Sequence, residues 1–308
     1  KNCVILNYDE KLNNFLKWYQ QLSAESLGKK GKGFFPVISN TPKDHHSLLQ
    51  LYLDGPKDKI FYIGIDRPTK LNGFTPEMFK QMAEAFTEYE NNSNALCAIV
   101  FSHGPHFTAG IDLPKIAPYM KSGNREYLHP KNLIDPLSLR GLIRTKPVVC
   151  AVRGITFTYG VELSLACDVT VAADNCRFSQ LEVLRGIMPT GGATIRFVQR
   201  AGWGNAMKYL LSGLEFDSQE ALKMNIVEEV VQPEAVFSRA EEIAISIAAA
   251  APLAVKETIR SAKLALEEGR EAAVKEFDSV QEMLASSNDA SEGVEAFKDK
   301  RDPNFSGN

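Results

Sequence analysis

The chain has 308 residues, of which 44% are hydrophobic and 24% charged, with a formal net charge of −3 and a pI near 6.0. That length is long for one domain and short for three, and the composition is that of an ordinary soluble globular protein. The slight negative charge gives no global field to attract nucleic acid. No segment reaches the roughly 18 apolar residues of a membrane span. The longest candidate, from Ile243 to Val255, is broken by Ser246 and Pro252. The N-terminus lacks a charged-then-apolar signal pattern, and the last residues, Ser306 to Asn308, form no address tag, so the cytoplasm is the expected location. The chain opens on Lys1 rather than methionine, and a natural start upstream is expected.

Five cysteines (Cys3, Cys97, Cys150, Cys167 and Cys176) stand singly, without a Cys-x-x-Cys spacing. Free thiols in a reducing compartment are expected. His45 and His46 are adjacent, and His103 and His106 flank a Gly-Pro turn without cysteine or acidic company. No metal site is expected.

In chain order, residues 1–46 read as an appendage. Leu12, Phe15, Leu16, Tyr19 and Leu22 make one helical stripe, which is a packing face, and a lysine- and glycine-rich run follows from Gly28 to Gly33. Leu48 to Ile63 reads as a hairpin turning at Asp54-Gly55. The boundary is placed near Ser47, with a core over 47–215. Lys59 to Ile65 is a strand ended by Asp66-Arg67-Pro68. Thr75 and Pro76 start a helix, whose apolar positions Met78, Phe79, Met82, Phe86 and Tyr89 keep helical spacing. Cys97–Phe101 and Val148–Val152 read as buried strands, and residues 115–140 as a proline-punctuated loop with short helices that covers a site. A helical turn over Val161–Ala166 runs into a strand over Val169–Ala172. Repeated strand–turn–helix units predict α/β layering. Beyond Glu215 the segments 217–230, 234–250, 252–268, 270–286 and 290–300 read as helices, so 216–308 is expected to be a helical region with apolar faces to bury between subunits.

Two glutamates stand out. Glu162 and Glu182, twenty positions apart, both sit in apolar stretches, where an unpartnered carboxylate is expensive. Converging on one point they would form an acid/base pair. Asp112 and Asp168 read as turn- or cap-forming residues.

Asp66-Arg-Pro68, Phe107 to Leu113, Gly154 to Asp168, Pro189 to Gly192 and Glu292 to Arg301 resemble, in order and spacing, the enoyl-CoA hydratase (crotonase) family. The resemblance spans about residues 48–308. It implies an α/β fold, a crotonase-like spiral of β-β-α units with a helical C-terminal trimerisation region, and assembly as a homotrimer or a dimer of trimers. It also implies acyl-CoA thioester substrates, coenzyme A being part of the substrate rather than a cofactor. The amides of Ile111 and Tyr159 would hold the thioester oxygen, and Glu162 and Glu182 would hold a water. Ala109, Gly110, Asp112 and Leu113 would line the substrate. Lys300 and Phe297 would lie near coenzyme A bound to the neighbouring subunit. Many hydratases carry Gly-Gly-Gly where this chain has Thr158-Tyr159-Gly160, so the direction of the tyrosine ring bears on substrate length and on the reaction itself.

Residues from about Tyr8 to Ile60 resemble a fragment of glucose-6-phosphate isomerase. That resemblance makes Glu25 the counterpart of a proton-shuttling base and His46 that of a ring-opening residue. The rest of that longer chain is absent, and positioning supplies much of catalysis, so no sugar isomerase activity is expected. Enoyl-CoA hydration is the expected reaction. A Δ3,Δ2-enoyl-CoA isomerase, an acyl-CoA hydrolase and a non-catalytic crotonase-fold binding protein remain as alternatives.

Overall fold

The computed structural model describes residues 2–7, 35–40, 59–123, 126, 128 and 130–308. The chain divides into two compact units, Lys1–Asp58 and Lys59–Asn308. In the first, strands β1 (Asn2–Asn7) and β2 (Phe35–Asn40) pair in parallel, Val4 opposite Val37. The helical stripe, the Gly28–Gly33 run, Glu25, His46 and the boundary near Ser47 lie outside the described residues. So does most of the expected hairpin, whose last positions enter β3.

The second unit is built on a five-stranded sheet. Its strands are β3 (Ile60–Ile65), β4 (Cys97–Ser102), β5 (Val148–Val152), β7 (Val169–Ala173) and β10 (Glu229–Val231), in the order β10-β7-β5-β4-β3 and all parallel. Val148 to Val152 are all buried, as a parallel strand covered on both faces requires. A second, three-stranded sheet holds β6 (Ile155–Phe157), β8 (Arg177–Ser179) and β9 (Phe216–Asp217), with β6 and β8 parallel and β8 and β9 antiparallel. A parallel bridge from Thr108 to Thr156 extends this layer beyond β6. Each turn of the chain therefore lays down a long strand, a short strand and a helix, giving the β-β-α units expected.

Helix α1 (Pro76–Asn91) starts where the sequence says, with Thr75 Oγ1 accepting from the Met78 amide. It buries Phe79, Met82, Phe86 and Tyr89, while Met78 is only partly buried. Helix α2 (Leu113–Ser122) opens the segment expected as a loop with short helices. Helix α3 (Tyr159–Ala166) is buried at every position, and α4 (Ala193–Ala201) and α5 (Trp203–Leu210) follow.

The region after Glu215 departs from the helical expectation in its first segment. Over 217–230 only α6 (Ser218–Lys223) is helical, and Glu229–Val231 is strand β10 against β7. Buried Ile226 and Val227 carry the chain back to the sheet edge, where the β-branched pair Val230-Val231 suits an extended backbone. Helices α7 (Val236–Ala248), α8 (Pro252–Glu267), α9 (Arg270–Ala285) and α10 (Asn288–Asp299) complete the unit. Val236, Ala240, Ala244 and Ala248 recur every fourth residue on α7 and are all buried. Such small side chains let α7 lie close on β4 and β5. No helix among the described residues is long and apolar enough to cross a membrane.

Candidate active site

Helix α3 runs through the core with both ends tied. At its C-terminal end the buried guanidinium of Arg144 donates to the Ala166 carbonyl at 2.7 Å, to the Lys146 carbonyl at 2.6 Å and to Asp168 Oδ2 at 2.8 Å. The same Asp168 oxygen accepts from the Val148 amide at 2.7 Å, joining the end of α3 to the start of β5. At its other end the Thr158 amide donates to the Ser179 carbonyl at 2.8 Å.

One turn into α3, the Glu162 carboxyl is only 5% exposed. Its Oε1 accepts from the amides of Gly191 at 2.7 Å and Ala193 at 3.3 Å, so the carboxylate occupies the N-terminal end of α4, where helix amides favour negative charge. Gly191 is needed for this: a Cβ there would collide with Glu162 Oε2. Burial, then the charge of Glu182, push Glu162 up to about 7 against the opposing pull of those amides and of Arg196.

Glu182 begins a short turn, Glu182–Arg185, and is half-buried. Burial pushes it up to about 7 as well. Buried Gln180, with its side-chain nitrogen turned toward the carboxyl as the donor–acceptor pattern requires, donates to its two oxygens at 2.9 and 3.1 Å. The charge of Glu182 is felt at Glu162, and two interacting carboxyls near neutrality can hold one proton while leaving one anion.

Both carboxyls border a cavity of about 340 Å³, also lined by Ala109, Ile111, Leu113 and Tyr159. Ile111 follows Gly110, whose φ of 98° is available only to glycine at low cost. The Phe74 amide donates to the Gly110 carbonyl and the Asp112 amide to the Phe74 carbonyl, each at 2.8 Å. In such a parallel bridge the amide of Ile111 itself faces away from Phe74, and it finds no acceptor among the described residues. The amide of Tyr159, the first of α3, is likewise without one there, as helix-start amides are unless capped.

The ring of Tyr159 packs against Phe74 at 4.5 Å and Phe79 at 4.8 Å between centroids, forming part of the cavity wall. Gly110 lies behind the wall, against Thr158. The Asp112 carboxylate is taken by Arg67 at 2.8 Å; burial raises its pKa, but hydrogen bonds from Arg67 and the Lys115 amide outweigh this and hold it below its ordinary value. Phe297 and Lys300 stand far along the chain at the end of α10, Phe297 86% exposed and Lys300 in a left-handed cap. Gly191 and Gln180 carry parts of the site that no local sequence signal assigned. No group of three or more His, Cys, Asp or Glu placed to hold a metal occurs among the described residues.

Residues 55–308 match the family model for enoyl-CoA hydratase/isomerase. The chain belongs to the enoyl-CoA hydratase/isomerase family. Among its relatives, the enoyl-CoA hydratase EchA19 of Mycobacterium tuberculosis is 31% identical over 79% of this chain and 91% of its own length. The carnitinyl-CoA dehydratase of Citrobacter koseri is 34% identical over 80% and 95%. Such hydratase and dehydratase relatives are lyases, and this chain is an enzyme of their family. A crystal structure of a probable enoyl-CoA hydratase/isomerase from Mycobacterium abscessus superposes with a TM-score of 0.78, at 40% identity, over 81% of this chain and 96% of that one. The crotonase resemblance is thus upheld. The glucose-6-phosphate isomerase resemblance gains no support, and the family match reaches back to residue 55, inside the stretch assigned to it.

Proposed function

We propose that this chain hydrates 2-enoyl-CoA thioesters to 3-hydroxyacyl-CoA. The observation that carries the proposal is the gathering of two carboxyls, Glu162 and Glu182, and two amides without acceptors, Ile111 and Tyr159, on one cavity. Water held between the carboxyls attacks C3 as the carboxylate member of the pair takes its proton. The C2–C3 electron pair moves toward the thioester, whose oxygen becomes an enolate held by the two amides. The protonated member then delivers its proton to C2, and water has been added across the double bond. The reverse sequence dehydrates. A pair that is half-protonated near pH 7 has both forms at hand.

No separate cofactor is part of this reading, coenzyme A arriving with the substrate. Ala109 and Leu113 serve as walls for the acyl thioester. The C-terminal helices leave Leu266, Phe277, Val294 and Phe297 exposed, and α8 buries no residue within the chain. We assign these faces to contact with further copies in a trimer or dimer of trimers, where Phe297 and Lys300 would approach a neighbour's coenzyme A. Four buried, unbridged thiols, Cys97, Cys150, Cys167 and Cys176, support a reducing compartment such as the cytoplasm.

Assay with crotonyl-CoA tests the central claim. Glu162→Gln and Glu182→Gln each lower hydration by about 10²- to 10⁴-fold, the range of lost acid–base catalysis. Near-normal turnover in both overturns it. Product analysis with a 3-enoyl-CoA separates hydration from a double-bond shift.

A further inference from the structure

Thr158 combines three unfavourable features at one position. Its φ of 50° and ψ of −112° fall outside the regions that a β-branched residue readily occupies. Its hydroxyl is buried without a hydrogen-bond partner among the described residues. It also lines the cavity, so this cost falls in the wall of the site itself. Backbone strain and an unsatisfied buried hydroxyl persist only where the surroundings impose them, and they concentrate at functional positions.

Its contacts show what the strain accompanies. Thr158 immediately precedes Tyr159, and Gly110 immediately precedes Ile111. These two preceding residues touch: Thr158 Oγ1 fills the place where a Cβ on Gly110 would stand, and Thr158 Cβ lies 3.2 Å from that point. The strands behind them are locked by the Phe157 amide on the Thr108 carbonyl at 2.9 Å and the Thr108 amide on the Ile155 carbonyl at 3.0 Å. With its backbone also held to Ser179 and, through its carbonyl, by the Glu162 amide at 3.1 Å, Thr158 cannot retreat from Gly110.

We propose that Thr158 is a positioning residue, a spacer whose side chain sets the separation of the Ile111 and Tyr159 amides. This rests on the reading that those amides hold the thioester oxygen. The shape of the side chain does the work, and the hydroxyl serves as bulk. With glycine at 158 the φ is relieved and the spacer is gone; with valine the bulk remains and the unsatisfied hydroxyl is removed.

The test compares Thr158→Gly and Thr158→Val with the unaltered chain, using crotonyl-CoA kinetics and the infrared carbonyl stretch of bound butyryl-CoA, which cannot be hydrated. For Thr158→Gly, kcat falls about 10- to 100-fold, as a misplacement of less than an ångström to an ångström at an oxyanion site can produce, with KM within about twofold. Its carbonyl stretch moves back toward that of free thioester while its Tm holds or rises. Thr158→Val keeps kcat and the carbonyl shift within about threefold and twofold of the unaltered chain. A glycine variant with full kcat and full carbonyl shift overturns the proposal, as does a valine variant as impaired as the glycine one. If the unaltered chain fails to hydrate crotonyl-CoA yet shifts the carbonyl, the hydratase reading falls and the infrared comparison still decides the role of Thr158. An unshifted carbonyl in the unaltered chain overturns both.

Discussion

The two carboxyls that border the cavity reach about the same pKa from opposite kinds of support. Glu162 hangs from a helix buried at every position, with Arg144 and Asp168 fixing one end and the α4 amides gripping its carboxyl. Glu182 sits in a four-residue turn that includes exposed Leu184 and is followed by exposed Met188, and its carboxyl is held by the Gln180 side chain and by its own amide. The contrast separates two ways of placing an acid. Glu162 is placed by backbone, so changes far along the chain can displace it. Glu182 is held by one neighbouring side chain and its own amide, so its protonation can be altered without moving the fold.

The largest effect expected on the Glu162 side is on stability. Arg144→Met removes a guanidinium whose side chain is 1% exposed, takes its donors from the Lys146 and Ala166 carbonyls, and leaves Asp168 with the Val148 amide but no cation. Loss of roughly 3 kcal/mol is expected, the lower end for a broken buried pair because Asp168 keeps some solvent contact. Urea titration measures it, and an unchanged midpoint would show that α3 is not anchored there. Gly191→Ala comes next. Its new Cβ drives the Glu162 carboxyl off the Gly191 amide, so kcat falls about 10²-fold while the far-ultraviolet circular dichroism stays as before. A fully active Gly191→Ala enzyme would mean that Glu162 need not occupy the α4 terminus.

How far the sequence reveals this arrangement depends on the range of the interactions. Buried parallel strands such as Val148–Val152 are legible as apolar runs, and the start of α1 is legible because Thr75 and Pro76 act locally. Glu162 is conspicuous for the same reason, a carboxylate inside an apolar segment. Strand β10 is hidden because three residues have no period of their own, and their extended form is imposed by β7. The grip of Gly191 on Glu162 spans 29 positions and that of Arg144 on Ala166 spans 22, and nothing near any of these residues announces it. The ring of Tyr159 is undetermined by its neighbours in sequence because Phe74 and Phe79, far upstream, fix it. Chain-local physics therefore names the acids, and long-range packing decides how each is held.

The pH dependence sharpens the contrast further. Both carboxyls have folded pKa values raised from 4.5 to about 7, so the folded chain keeps protons that the unfolded chain releases between those values. Their contribution to stability is fully present below about pH 4.5 and is lost as pH rises through about 7. Glu162→Gln removes one of these titrations, and its stability declines less steeply across that window; identical slopes in urea series at pH 5 and pH 7 would contradict the burial of a titrating Glu162. The smallest effect belongs to Gln180→Leu. Without the amide donor the ionised form of Glu182 is less favoured, so the acid limb of the kcat/KM profile moves to higher pH by less than about one unit. Stability should hold nearly constant, because Glu182 is only half-buried and solvent can replace the lost donor. A limb that stays in place would mean that Gln180 packs beside Glu182 without governing its proton, and a large loss of stability would mean that side chains near residue 182 hold the fold as the backbone does around residue 162.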